Sequence, residues 1–170
     1  AERIAGHGRS VEDHSLRDVQ QWDVGWGFVD SAGNRPFAGQ GIHAPTLDQV
    51  LSEFPDTRIN VDIKEGTSEG TRRVVDIVRK HQASHRVLLT SFYSRTRDQL
   101  LEMGYEGPTG LGKRDALALV FFPAFLIKDR FRPGDRAQLP PRFGPLNLGT
   151  AKFIAKAHRL GLKVDFWTIN

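Results

Sequence analysis

Asn60-Val61-Asp62-Ile63-Lys64 and, about a hundred residues on, Val164-Asp165-Phe166-Trp167-Thr168-Ile169-Asn170 each read as an apolar strand that runs into residues able to do chemistry. In α/β proteins ligands gather at the carboxyl ends of parallel strands, so a carboxylate, an ammonium and an indole delivered there point to parts of one site.

Working outward, helical and strand signals alternate. Thr46 with Gln49 forms a capping box, and Leu47, Val50, Leu51 and Phe54 follow at helical spacing until Pro55 stops the helix. A strand is expected over Arg58 to Ile63, then a turn at Glu65-Gly66-Thr67, then a helix with Val74, Ile77, Val78 and His81 on one face. Val87 to Thr90 is a continuous apolar strand of the kind buried on both faces of a parallel sheet. Arg95 to Met103 predicts a helix capped by Ser94 and closed by Gly104, and Tyr105 to Leu111 a short strand. Lys113 to Ile127 contains a helix, and the apolar run Ala116 to Ile127, broken by Pro123, is expected to be buried. The Pro- and Gly-rich passage Phe131 to Pro145 holds a short strand around Ala137-Gln138-Leu139. From Thr150, the apolar face Phe153, Ile154, Ala157 and Leu160 predicts a helix ended by Gly161, and Leu162 to Thr168 is the last strand.

Strand signals thus recur at about the length of one βα unit. The expected fold is α/β, a partial (β/α)8 barrel within one domain over residues 1–170. A complete barrel usually needs about 250 residues. The expectation is therefore that the first strands and the last are missing, with Ala1 to His14 a Gly- and His-rich loop. A partial barrel leaves sheet edges unpaired, which predicts self-association.

Composition excludes several classes. There are 170 residues and no cysteine, so disulfides, thiolate nucleophiles and cysteine-held metals are out. No apolar run is long enough for a membrane span. No charged-then-apolar leader opens the sequence, which sets the expectation of a cytoplasmic protein. The net charge of +4 is spread along the chain; it suits an anionic small molecule, and the lack of a basic block with interleaved aromatics argues against nucleic acid.

The motifs carry a family resemblance. Ser15-Leu16-Arg17-Asp18-Val19 through Phe37-Ala38-Gly39-Gln40, Ala44 to Leu51, Asp62-Ile63-Lys64, Ser91-Phe92, Gln138-Leu139-Pro140 and Trp167-Thr168-Ile169-Asn170 resemble, in order and spacing, the middle of a glycerophosphodiester phosphodiesterase. The resemblance implies a TIM-barrel scaffold and metal-assisted hydrolysis of a glycerophosphodiester to sn-glycerol 3-phosphate and an alcohol. It implies Asp62 as a ligand of calcium or magnesium, Lys64 as the catalytic cation on the phosphate, and Trp167 and Asn170 as substrate contacts. A phosphodiester is anionic and has a poor leaving group, which is why cations are needed there.

The family's His-Arg-Gly, Glu-Asn and His-Asp motifs have no counterpart in this sequence, so a complete catalytic site is not expected from these residues. The residues also support plainer readings. Asp62 and Lys64, at i and i+2, can simply pair on one face of a strand; Trp167 can be packing; Asn170 can cap a turn. His7 and His14 are expected as solvated loop residues, His43 could face the site, and His81, His85 and His158 read as structural or exposed. A non-catalytic phosphodiester-binding module is the alternative.

Overall fold

Strand β1 (Ile59–Asp62) pairs in parallel with β2 (Val87–Thr90), Asp62 standing opposite Thr90. The structure is a computed structural model that describes residues 2–6, 8, 10–64 and 66–167, without the side chains of residues 2 and 3. Beyond β2 the ladder continues through Thr109 and Gly110: Leu89 N donates to Pro108 O and Gly110 N to Leu89 O, at 3.2 and 2.9 Å. Gly110 in turn lies beside β3 (Arg136–Leu139), where Arg136 N donates to Thr109 O at 2.9 Å. A hairpin of β4 (Arg142–Phe143) and β5 (Leu146–Asn147) follows, and β6 (Lys163–Phe166) pairs in parallel with β3. Five parallel segments therefore stand side by side in the order 59–62, 87–90, 109–110, 136–139, 163–166. Among the described residues this set is open, with β1 and β6 at its edges.

The helices are α1 (Glu2–Ala5), α2 (Leu16–Val19), α3 (Leu47–Glu53), α4 (Ser68–Lys80), α5 (Ser94–Glu102), α6 (Lys113–Phe121), α7 (Ala124–Ile127) and α8 (Ala151–Arg159). Contacts group the chain into two compact units, Ala1–Val50 and Leu51–Asn170, with the boundary inside α3. In the first unit the expected loop before His14 holds α1 and a 3-10 turn at Val11–Asp13, because the Ser10 hydroxyl accepts from Glu12 N. A capping box of Ser15 and Asp18 starts α2. The carboxylate of Asp23 accepts amides from Gly25 and Gly39, and the Arg35 guanidinium stacks 3.7 Å from the Trp26 ring. The capping box of Thr46 and Gln49 forms as the sequence predicts, with Gln49 N donating to Thr46 Oγ1 at 3.1 Å.

In the second unit alternation along the strands sorts side chains by face. Ala137 and Leu139 of β3, with Val164 and Phe166 of β6, turn toward Ala118, Leu119, Ala157 and Leu160 of the helical side. Asn60, Asp62, Arg136, Gln138 and Asp165 belong to the other face. Three expectations are corrected. Ser94 does not cap α5 but lies inside it, because its hydroxyl accepts from Arg114 N at 3.1 Å. The strand expected over Tyr105 to Leu111 shrinks to bridges at Thr109 and Gly110, next to Pro108, which has no N–H to give. The apolar run from Ala116 is not one buried helix: it breaks at Phe122-Pro123 into α6 and α7, and Phe121, Phe122, Phe125 and Leu126 are exposed.

Candidate functional site

The carboxyl end of β1 is built by alternation. Val61 and Ile63 face inward, Ile63 being buried, so Asp62 and Lys64 emerge together on the opposite face. Lys64 Nζ donates to Asp62 Oδ2 at 2.5 Å, and the side chains are 81% and 44% exposed. The pairing that the i and i+2 spacing allows is thus what forms, and the ammonium stays open to a ligand. Ile63 N donates to Thr90 O at 2.8 Å, and the buried Ser91 hydroxyl donates to Ile63 O at 2.8 Å. Ser91 therefore ties the backbone directly before Lys64 to the end of β2. Sequence pattern assigns Ser91 no role, because the partner lies 28 residues away, beyond any local pattern. On the far side of β2, a Cβ at Gly110 would come within 2.1 Å of Thr90 Oγ1, so glycine lets the central segment pass close to the partner of Asp62.

Trp167 N donates to Leu139 O at 3.1 Å, continuing the β3 and β6 ladder, and its half-exposed ring falls on the face of Asp165. It shares that face with Asp62 but stands at the other edge of the strand set, so the structure brings Asp62 to Lys64 and not to Trp167. Asn170 lies outside the described residues, as does His7. Phe92 and Tyr93, exposed at the end of β2 with ring centroids 6.5 Å apart, add aromatic surface at the same end of the strands.

A cavity of about 720 Å³ lies along the strands and is lined by Arg58, Asn60, Glu106, Arg136, Gln138 and Asp165 among others. It occupies the amino-terminal side and does not include Asp62, Lys64 or Trp167, and its Arg136 and Asp165 neutralise each other at 2.6 Å. The chemistry of parallel strands favours the carboxyl ends as the site. Three of the described histidines are used locally: His14 packs edge-on against Trp22, His43 Nδ1 contacts Trp22 O at 3.2 Å, and His85 Nδ1 contacts Gln82 O at 3.1 Å. Among the described residues no group of three or more His, Cys, Asp or Glu is placed to hold a metal ion. None of the described helices is long and apolar enough to cross a membrane.

Fold and site together define a parallel α/β protein that offers a carboxylate and ammonium pair at its strand ends. A protein of Mycobacterium tuberculosis provisionally named glycerophosphodiester phosphodiesterase 2 is 31% identical over 167 residues, covering 95% of this chain and 57% of that protein. The crystal structure of a Silicibacter pomeroyi protein provisionally named glycerophosphoryl diester phosphodiesterase matches with a TM-score of 0.69 at 20% identity, over 96% of this chain and 60% of that one. No family model matches the chain. The chain is similar to this glycerophosphodiester phosphodiesterase over nearly its whole length and spans little more than half the length of that curated relative.

Proposed function

We propose that this chain forms an arc of a (β/α)8 barrel and part of the active face of a phosphoric diester hydrolase that cleaves glycerophosphodiesters. The observation that carries this reading is the exposed Asp62 and Lys64 pair at the end of β1, held in register by Ser91. In the reaction a water oxygen bonds to phosphorus, the P–O bond to the alcohol breaks, and the alcohol leaves with a proton, giving sn-glycerol 3-phosphate. Lys64 contributes charge: its ammonium, oriented by Asp62, is free to meet a phosphoryl oxygen as negative charge grows there. Trp167 serves as a wall for the glycerol or alcohol part, and Asn170 as a further substrate contact.

Calcium and magnesium are the ions the family resemblance implies. Each takes about six or more oxygen donors. Asp62 is one, and its Oδ2 already holds Lys64, so the described residues do not by themselves fit such an ion. Asp62 is assigned as the carboxylate that this segment contributes to a shared ligand set. The local engagement of His14, His43 and His85 favours a second reading, a module that binds glycerophosphodiesters without turnover.

The test is release of sn-glycerol 3-phosphate from glycerophosphocholine, with calcium, with magnesium and with chelator, beside Lys64→Ala. Turnover that depends on the metal and falls about 10²- to 10³-fold in the variant is expected for the hydrolase. Binding without turnover supports the module. Neither binding nor turnover by the folded chain would sink both.

A further inference from the structure

The segment Phe121-Phe122-Pro123-Ala124-Phe125-Leu126 is the largest departure from the burial expected of its composition. Phe125 is 72% exposed, and Phe121, Phe122 and Leu126 are each more than half exposed. Pro123 ends α6 and opens α7, so the two short helices meet at a corner that projects these rings. The exposed Phe143 of the β4 and β5 hairpin joins them, its ring centroid 6.2 Å from that of Phe121, and Leu146 is exposed on the same hairpin. These elements follow the third and fourth of the five parallel segments. The patch therefore belongs to the middle of the set, and strands pairing at its open edges would add at β1 or β6 instead.

The rim says what the patch would meet. From Ala116 to Asn147 the exposed cations are Lys128, Arg142 and Arg130, the last held by Asp115 at 2.8 Å, against one exposed carboxylate, Asp129. Asp135, the other acid of the stretch, is buried. Apolar rings flanked in the chain by the cations Lys128 and Arg142, unpaired among the described residues, suit a surface that is apolar inside and anionic at its boundary. A second copy of the same face would set like charges against each other. The geometry points to a docking surface for an anionic lipid bilayer, with the Phe121 to Leu126 corner and Phe143 entering the headgroup layer and Lys128 and Arg142 meeting lipid phosphates. This does not depend on the catalytic reading, because it concerns binding alone.

Co-sedimentation of the chain with phosphatidylcholine vesicles, with and without phosphatidylglycerol, tests it, with light scattering on the same samples. The chain should pellet with phosphatidylglycerol present and lose that binding as salt is raised. Phe122→Ser/Phe125→Ser should bind about tenfold more weakly or worse. Lys128→Glu/Arg142→Glu, which leaves the rings in place, should fall by a similar factor, and both variants should keep the circular dichroism of the parent. The idea is overturned if the parent ignores phosphatidylglycerol vesicles, if either variant binds as the parent does, or if the parent is a dimer that the ring substitutions make monomeric.

Discussion

Two clusters of carboxylates and cations in the same unit differ in one respect, their access to water. Asp62 and Lys64 stand at the end of β1 in solvent. Arg97 of α5 lies between Asp135 at 2.8 Å and Asp115 at 3.3 Å, all three side chains less than a tenth exposed, and Arg130 closes on Asp115 at 2.8 Å. Asp135 also accepts from the amide and hydroxyl of Thr109, at 3.0 and 2.9 Å, which anchors the central segment to the start of β3. The buried cluster has every reason to be structural: its charges are spent on each other and on the backbone. The exposed pair adds little to the fold, and its groups remain in contact with solvent. The same residue types thus serve assembly in one place and stand in solvent in the other, where the proposed function would use them.

The sharpest way to break that contrast is Arg97→Ala. Removing the cation strands two buried carboxylates, which should cost about 3 to 5 kcal/mol in urea denaturation. A loss below about 1 kcal/mol would mean that the cluster does not organise the unit.

A smaller effect should come from Tyr105, whose buried hydroxyl donates to Val87 O at 2.6 Å. Burial pushes its phenol up to about 12, with nearby Arg132 acting weakly the other way. The unfolded phenol ionises near 10. A raised folded value means that the stabilisation is complete below pH 10 and is lost as pH rises toward 12, by up to about 3 kcal/mol. Tyr105→Phe should remove this alkaline component from the pH dependence of stability while the neutral-pH loss stays near 1 kcal/mol. An unchanged alkaline slope in the variant would assign the loss to other groups.

Sequence pattern reached some of this and not the rest, for physical reasons. The strands at Ile59, Val87, Arg136 and Lys163 were readable because their apolar runs end in turn residues, and Thr46 with Gln49 because capping is a local interaction. The shared face of Asp62 and Lys64 followed from the two-residue period of a strand. Ser91 on Ile63 and Asp135 on Thr109 were not readable, since each joins residues more than 25 positions apart. The β4 and β5 hairpin was missed because Pro140-Pro141 and Gly144-Pro145 read only as breakers. The run from Ala116 misled because composition reports apolarity and not what covers it.

The smallest change in stability should belong to the pair with the largest predicted effect on function. Exposed ion pairs contribute about 0 to 1 kcal/mol, so Lys64→Ala and Asp62→Asn should unfold at nearly the urea concentration of the parent. Ser91→Ala separates position from charge. It leaves Asp62 and Lys64 chemically intact but frees the carbonyl of Ile63, so it should cost about 1 to 2 kcal/mol and weaken glycerophosphocholine binding through misplaced groups. Measured together by urea denaturation and binding titration, the three variants should fall into two classes: Lys64→Ala and Asp62→Asn stable and impaired, Ser91→Ala impaired and less stable. If Lys64→Ala instead destabilised the fold as Arg97→Ala is expected to, the distinction between spent and free charge would fail at the residue on which the functional reading rests.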